Sequence, residues 1–280
     1  MKKDNIVIII PLNDPEAVLI SQIAQAMGLD LIASKQGHGA SADKSKGLIE
    51  KIKKGGWKEA IIIEMPGLKT EKMLKKLGVK VVIIDHHNYT GLKRAFEKGR
   101  IKQSSLEQFI KLFKLGDKKL KDLGFDFELV KGIGVMDRGF VWQALQEGYD
   151  WREIKKIMDY QDELMAQVRD MKDEKLKIKA AEEAWKNREK WGEFYIMQNK
   201  TNIGFRARLS RLIAYEMKKP TPLILVEPKR HFIYVQETDK AQELFKKFGG
   251  FTFGMGTNWG FKEEKGKKGP KLSDVKKILA

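Results

Sequence analysis

Asp85-His86-His87 is the part of this sequence best suited to do chemistry. The tripeptide follows the apolar run Val79-Lys80-Val81-Val82-Ile83-Ile84 and holds two of the four histidines in the chain. An aspartate beside paired imidazoles at the end of a buried strand suits metal-bound phosphate chemistry better than core packing. Open α/β sheets bind their ligands at that edge. Three further acidic sites are expected where sheet strands end, so that with His86 and His87 the set comes from four strand ends: Asp14 and Glu16 follow the first strand, Glu64 ends a middle one, and Asp137 follows a later apolar run. Parallel strands bring their C-terminal ends together, so these residues can converge with His86 and His87. Oxygen and imidazole donors suit Mn²⁺, Mg²⁺ or Zn²⁺, and a carboxylate such as Glu64 can bridge two ions. Two ions roughly 3.5–4 Å apart can activate a water and clamp both oxygens of an in-line displacement at phosphorus. Taken singly, Asp14 before Pro15-Glu16 also reads as a helix N-cap, and Asp137 as the cap of a turn.

The elements that must position these residues alternate along the chain. Strands are expected over 5–10, 29–34, 59–64 and 79–84, with helices over 15–27, 45–54 and 70–77. Their apolar runs are continuous, the pattern of a mostly parallel, doubly wound sheet covered on both faces. A capped amphipathic helix is expected over 104–115, while 127–135 reads as helix or strand. Residues 151–191 are charged helix formers with scattered Met, Leu, Ile and Trp, and read as a long helical connector. Beyond it, strands over 194–198, 222–227 and 231–236 and helices over 205–217 and 240–248 predict a smaller α/β domain. The expected organisation is therefore a metal-binding domain over 1–150, the connector over 151–191, and a substrate-binding domain over 192–280. A glycine-rich run over 249–260 and a basic, glycine-containing tail over 262–271 complete the second domain.

Composition bounds the partners. The 280 residues carry 55 basic against 38 acidic side chains, a net charge of +17. Such an excess fits a polyanionic partner, because Lys and Arg neutralise phosphates and release counterions. A charged content of 33% fits a thermophile-like surface as well. Cysteine is absent, so disulfides and thiolate metal sites are excluded. No stretch reaches the roughly 18 apolar residues that span a bilayer. The expectation is a soluble cytoplasmic protein without a membrane partner, its oligomeric state unknown and a homodimer open.

The joint pattern resembles the DHH family of phosphoesterases with its associated C-terminal domain. That family comprises RecJ-type exonucleases, nanoRNases, cyclic-dinucleotide phosphodiesterases, exopolyphosphatases and manganese-dependent pyrophosphatases. The likeness follows element order over nearly the whole chain and is most specific at Ile83-Ile84-Asp85-His86-His87. The family's first motif matches Asp14-Pro15-Glu16, and its strand-ending Asp falls on Glu64. Its Ser-Ser-x-Glu step appears as Ser104-Ser105-Leu106-Glu107, and its fourth motif as Asp137-Arg138-Gly139-Phe140. The resemblance implies that Glu16, Glu64, His86 and Asp137 hold one metal, with Asp14 and Glu64 contributing to another. It implies that His87 faces the phosphate and that Asp85 orients the histidines. Mn²⁺ is the implied cofactor, with Mg²⁺ as the alternative.

Departures from the family are specific. Its leading His falls on Ile10, and two Asp positions are Glu, longer by about 1.5 Å. Its Gly-Gly-Gly-His loop lands on Gly249-Gly250-Phe251-Thr252-Phe253 without the His, and a strand Arg appears as Gln236. Arg138, Gly249, Gly250, Phe253 and Trp259 are the expected substrate contacts. Phe251, Phe253 and Trp259 would stack on bases while Lys262, Lys265, Lys267 and Lys268 lie on phosphates; the competing reading puts those aromatics in a domain core.

Two functions follow. The first is a metal-dependent phosphodiesterase acting on short oligonucleotides or small nucleotide phosphates, with short single-stranded nucleic acid or a nucleotide as partner. The second is a catalytically impaired DHH-like protein that binds nucleic acid, a nucleotide or a protein partner. A polyphosphate or small-anion binder is a third class.

Overall fold

The computed structural model describes residues 5–37, 39–87, 96–97, 100–254, 256–264 and 268–280. The chain divides into two compact units, Met1–Val168 and Arg169–Ala280.

The first unit is built on β1 (Ile6–Pro11), β2 (Asp30–Ser34), β3 (Glu59–Ile63) and β4 (Lys80–Ile84). These form one all-parallel sheet in the order β2-β1-β3-β4. Three helices connect them: α1 (Pro15–Ala26), α2 (Leu48–Gly55) and α3 (Leu68–Lys76). Both central strands are apolar at every position of their cores, because parallel strands covered by helices have no wet face. Val7 and Ile9 of β1 and Ala60 and Ile62 of β3 share a buried cluster with Leu48 and Ile52 of α2 and Leu74 of α3. By the two-residue alternation of a strand, Ile8, Ile10, Ile61 and Ile63 point to the opposite face. That face receives α1, which also packs on α4 (Ser105–Phe113), α6 (Phe127–Gln146) and α7 (Trp151–Ala166). A two-stranded pair, β5 (Phe96–Glu97) with β6 (Arg100–Ile101), precedes α4, and the short α5 (Asp117–Asp122) precedes α6. The doubly wound parallel sheet expected from the sequence is present.

The second unit contains a six-stranded mixed sheet. Its strands are β7 (Glu189–Trp191), β8 (Phe194–Gln198), β9 (Leu223–Glu227), β10 (Phe232–Gln236), β11 (Phe251–Phe253) and β12 (Asn258–Lys262). The order is β11-β12-β10-β9-β8-β7; β8 and β9 run parallel and the other pairs are antiparallel. Helices α8 (Met171–Lys186) and α9 (Arg206–Met217) supply Ala181, Trp185, Leu209 and Ile213 to the core on one face. Helices α10 (Ala241–Phe248) and α11 (Leu272–Leu279) supply Leu244, Val275 and Leu279 to the other.

Two sequence expectations change here. Residues 151–191 are shared between the units: α7 packs on α1 and α6, whereas α8 buries Trp185 against its own sheet. The long charged stretch is broken because Asp170 accepts the Lys172 amide and starts a new helix. Half of the glycine-rich run 249–260 is also strand. Gly250 (φ +87°) lets β11 lie against β12, and a Cβ there would stand 2.3 Å from the Gly260 carbonyl oxygen.

Candidate metal centre

Four elements deliver the chemistry-bearing residues to the C-terminal edge of the parallel sheet. Asp14 caps α1, its Oδ1 accepting the Ala17 amide at 2.8 Å, and this places Glu16 in the helix's first turn. Glu64 follows β3 directly, with its amide donating to the Ile84 carbonyl at 2.9 Å. Its backbone is left-handed (φ 52°), which turns the chain sharply out of the sheet. Such a conformation is uncommon for a residue other than glycine. Asp85, His86 and His87 leave β4 beside it. Asp137 lies in the last turn before a break in α6, where Gly139 (φ −157°) and Phe140 (φ 59°, ψ −159°) leave helical geometry. A non-glycine residue held there costs on the order of 1–3 kcal/mol, a burden the surrounding packing must hold in place.

Among the described residues, ligand atoms of Glu16, Glu64, His86 and Asp137 all lie within 4.8 Å of one another. Glu64, His86 and His87 form a second such group. His86 Nε2 stands 2.9 Å from Asp137 Oδ2 and 3.4 Å from Glu64 Oε1, yet neither contact is aligned as a hydrogen bond. Glu16 is 1% exposed and its Oε2 is likewise buried without a hydrogen bond. Its other oxygen accepts the Leu106 amide at 2.8 Å, while Ser105 Oγ donates to Glu64 Oε1 at 2.9 Å. The N-terminus of α4 therefore supplies two donors to buried carboxylates, the polarity that a helix dipole favours. That end is fixed by a capping box between Ser104 and Glu107. Ser105 and Leu106 were visible in the sequence only as a capping signal, without a site role.

Electrostatics separate the carboxyls. Burial pushes Glu16 well above its usual value, and the charges of Asp137 and Glu64 push it further. Asp14 rises as well, from burial first and then from Glu64 and Asp137. Burial also opposes ionisation of Glu64, but the His86 contact and the charges of both histidines outweigh it and bring Glu64 down to about 2. Burial disfavours a charged His86, yet its Asp137 contact raises it well above the ordinary imidazole value. His87 is raised too: burial is outweighed by Asp85 and by the charge of Glu64. Protons thus hold together a group of acids that a cation could hold instead.

The remaining expected residues fall in different places. Asp85 is fully buried and orients His87 alone, accepting its amide at 2.8 Å and meeting Nδ1 at 3.1 Å. Asp14 stands beside the four-residue group, engaged as the cap of α1. Ile10 is fully buried among strand residues and offers no ligand. Arg138 pairs with Glu107 at 3.0 Å and with Glu147, so its guanidinium braces α4 against α6 rather than standing open for substrate. In the second unit, Trp259 is fully buried and donates to the Gly249 carbonyl at 2.8 Å; it is core and cannot stack on a base. Gly249 ends α10, and Gly250 serves the close approach of β11 to β12. Phe253 is partly exposed, with the Arg206 guanidinium 4.5 Å from its ring centre, and Phe251 is exposed. Lys262 and Lys268 are exposed, while Lys265 and Lys267 lie outside the described residues.

No protein-family model matches the chain, and no curated protein does. Solved structures do. The DHH domain of a protein assigned to a ribosomal-protein family superposes with a TM-score of 0.56 at 12% identity, over 98% of this chain and 84% of that one. The chain has a divergent DHH-family fold. Two further matches are weaker. The exonuclease RecJ bound to manganese gives a TM-score of 0.45 at 13% identity, over 93% of this chain and 86% of that one. The pGpG-specific phosphodiesterase PggH from Vibrio cholerae gives 0.41 at 10%, over 98% and 96%. Glu64 and His86 leave strand ends of the four-stranded parallel sheet, whereas Asp137, read from the sequence as a strand-end residue, reaches the group from helix α6.

Proposed function

We propose that the first unit is the centre of a metal-dependent phosphodiesterase acting on short oligonucleotides or small nucleotide phosphates. The observation that carries this is the convergence of Glu16, Glu64, His86 and Asp137 within 4.8 Å. The buried, unpartnered Glu16 Oε2 and His86 Nε2 fit an ion, since unpaired buried polar atoms are otherwise costly. Three carboxylates with one imidazole and no sulfur suit Mn²⁺, with Mg²⁺ and Zn²⁺ as the alternatives. When bound, a divalent ion supplies Lewis-acid activation of a water and of a phosphoryl oxygen.

The protein's own groups do the rest. Glu64, ionised through the working pH range, is the fixed negative charge shared by both candidate groups. Ser105 and the Leu106 amide hold the two glutamates in orientation. The Asp85 carboxylate beside His87 Nδ1 favours a proton on that nitrogen, which leaves Nε2 to exchange a proton or bond a phosphoryl oxygen. Phe251 and Phe253 of the second unit, with Arg206 over Phe253, form a face suited to stacking on bases, and the +17 charge suits a polyanion.

One observation favours a second reading, a DHH-like binding protein without turnover. Ile10 stands where the resemblance places a ligand histidine, and it is fully buried. Two measurements decide between them: Mn²⁺ binding by calorimetry, and hydrolysis of a panel of dinucleotides, short oligonucleotides and cyclic dinucleotides. Turnover that Asp137→Ala abolishes establishes the enzyme. Binding of Mn²⁺ and oligonucleotide with no hydrolysis across the panel establishes the binder.

A further inference from the structure

We propose that a basic pocket at the C-terminal end of β2 binds a phosphoryl group at a site separate from the metal centre. The pocket has a volume of about 360 Å³, within the range of small-ligand sites. Lys35, Lys44, Lys46 and Lys51 line it, and no carboxylate does. All four are exposed, and none takes part in an ion pair among the described residues. Lys177 and Arg208, by contrast, both meet Glu174. Four uncompensated ammonium groups around one cavity repel one another, and an anion in the cavity relieves that repulsion.

The pocket is built rather than merely charged. Gln36 ties its loop together, donating to the Ser41 carbonyl at 3.0 Å and to Ser45 Oγ at 2.9 Å, and accepting the Ser41 amide at 3.1 Å. The Gln36 amide in turn donates to Ser34 Oγ at 3.2 Å. Two hydroxyls, on Ser34 and Ser45, are thereby fixed on the pocket wall with the lysines around them. Ammonium groups with hydroxyls, over a floor of Ile9 and Leu48, recognise a phosphate monoester or diester.

Its position gives the ligand. The Leu12 amide donates to the Ser34 carbonyl at 3.1 Å, so the exits of β2 and β1 are joined, and Asp14 and Glu16 follow on β1. Neighbouring strands are about 4.8 Å apart, which puts the pocket one strand from β1 and two strands from Glu64 along the same edge. A phosphate there comes from one of two sources. It belongs to a separate mononucleotide, or it is a further backbone phosphate of a strand whose reacting phosphate lies at the metal centre. The second form rests on the function proposed above; the first does not.

The test is metal-free binding by the full chain in EDTA, with AMP and with a fluorescein-labelled thymidine pentanucleotide as probes. The pocket variant is Lys44→Gln/Lys46→Gln. The control is Lys118→Gln/Lys121→Gln on α5, which removes the same charge from exposed positions. The pocket variant should weaken binding of at least one probe about 10-fold and the control about 2-fold or less. For the pentanucleotide, the slope of log K against log salt should fall by about 1.4, two contacts at about 0.7 each for single strands. Loss of AMP binding identifies a separate nucleotide, and loss confined to the pentanucleotide identifies the strand. Equal weakening by both variants, no change in either, or no binding of either probe by the parent overturns the site. Because hydrolysis is not measured, an inactive protein whose pocket still binds would sink the phosphodiesterase and leave this site standing.

Discussion

Glu64 is common to both candidate ligand groups, and its charge is held by two histidines on one side and the Ser105 hydroxyl on the other. Removing a direct ligand should therefore cost more than removing an orienting group. Asp137→Asn is expected to weaken Mn²⁺ binding at least about 100-fold, and Asp85→Asn, whose side chain hydrogen-bonds His87, about 10- to 100-fold in affinity or rate; calorimetry and initial rates check both. The pH dependence has a definite sign. Glu16, Asp14 and His86 bind protons more tightly folded than unfolded. Their contribution to metal-free stability is complete below the ordinary values, 4.5 for Glu16 and 6.5 for His86, and is lost as pH rises through the raised folded values. Glu64 acts oppositely, its contribution disappearing only as pH falls toward about 2. Urea melts in EDTA should show stability declining above neutral pH, and Mn²⁺ should bind more tightly there because it displaces those protons. At this scale the sequence showed the ligands well, because Glu16, Glu64, His86 and Asp137 each end or follow an apolar run. It did not show that Trp259 is buried, since an indole in a glycine-rich stretch reads equally as platform or core. Nor did it show Arg138 spanning Glu107 and Glu147, which are distant from each other in sequence.

Helix α4 positions two ligands through its first turn, and α6 approaches that turn closely. A Cβ at Gly134 would stand 2.8 Å from Ser104 Oγ and 3.1 Å from a Glu107 carbon. Gly134→Ala gains about 1 kcal/mol in helix propensity but loses about 1–3 kcal/mol to overpacking. The expected outcome is a net loss of up to about 2 kcal/mol in urea melts, with weaker Mn²⁺ binding, because the capping box that aims Ser105 and Leu106 must shift. The strands of the first unit were legible because a sheet covered on both faces demands unbroken apolar runs. The pair β11 and β12 was not, because glycines at their close approach look like a loop until the partner strand is known. The break in α6 was hidden for a related reason. Nothing in Asp137-Arg138-Gly139-Phe140 announces that Phe140, rather than a glycine, takes the unfavourable backbone conformation.

At the scale of the molecule, each unit has its own sheet and its own buried clusters. Domains with separate cores are expected to melt as separate transitions, and a ligand that binds the folded form raises only the transition of the unit that holds it. Calorimetry in EDTA should resolve two heat-absorption peaks. Saturating Mn²⁺ should move one, by about 2.7 kcal/mol of stability at 100 times the dissociation constant. The parallel sheet and the second α/β unit were legible from element order. The border was not, because 151–191 has one composition throughout while α7 and α8 pack on different sheets. That border determines how the gene can be divided. A split after Val168 leaves α7 with α1 and α6, and leaves Trp185 with Tyr195 and the rest of its cluster, so both pieces should be soluble when expressed alone. A split after residue 191 would strip the second piece of α8 and leave Leu209 and Ile213 facing water.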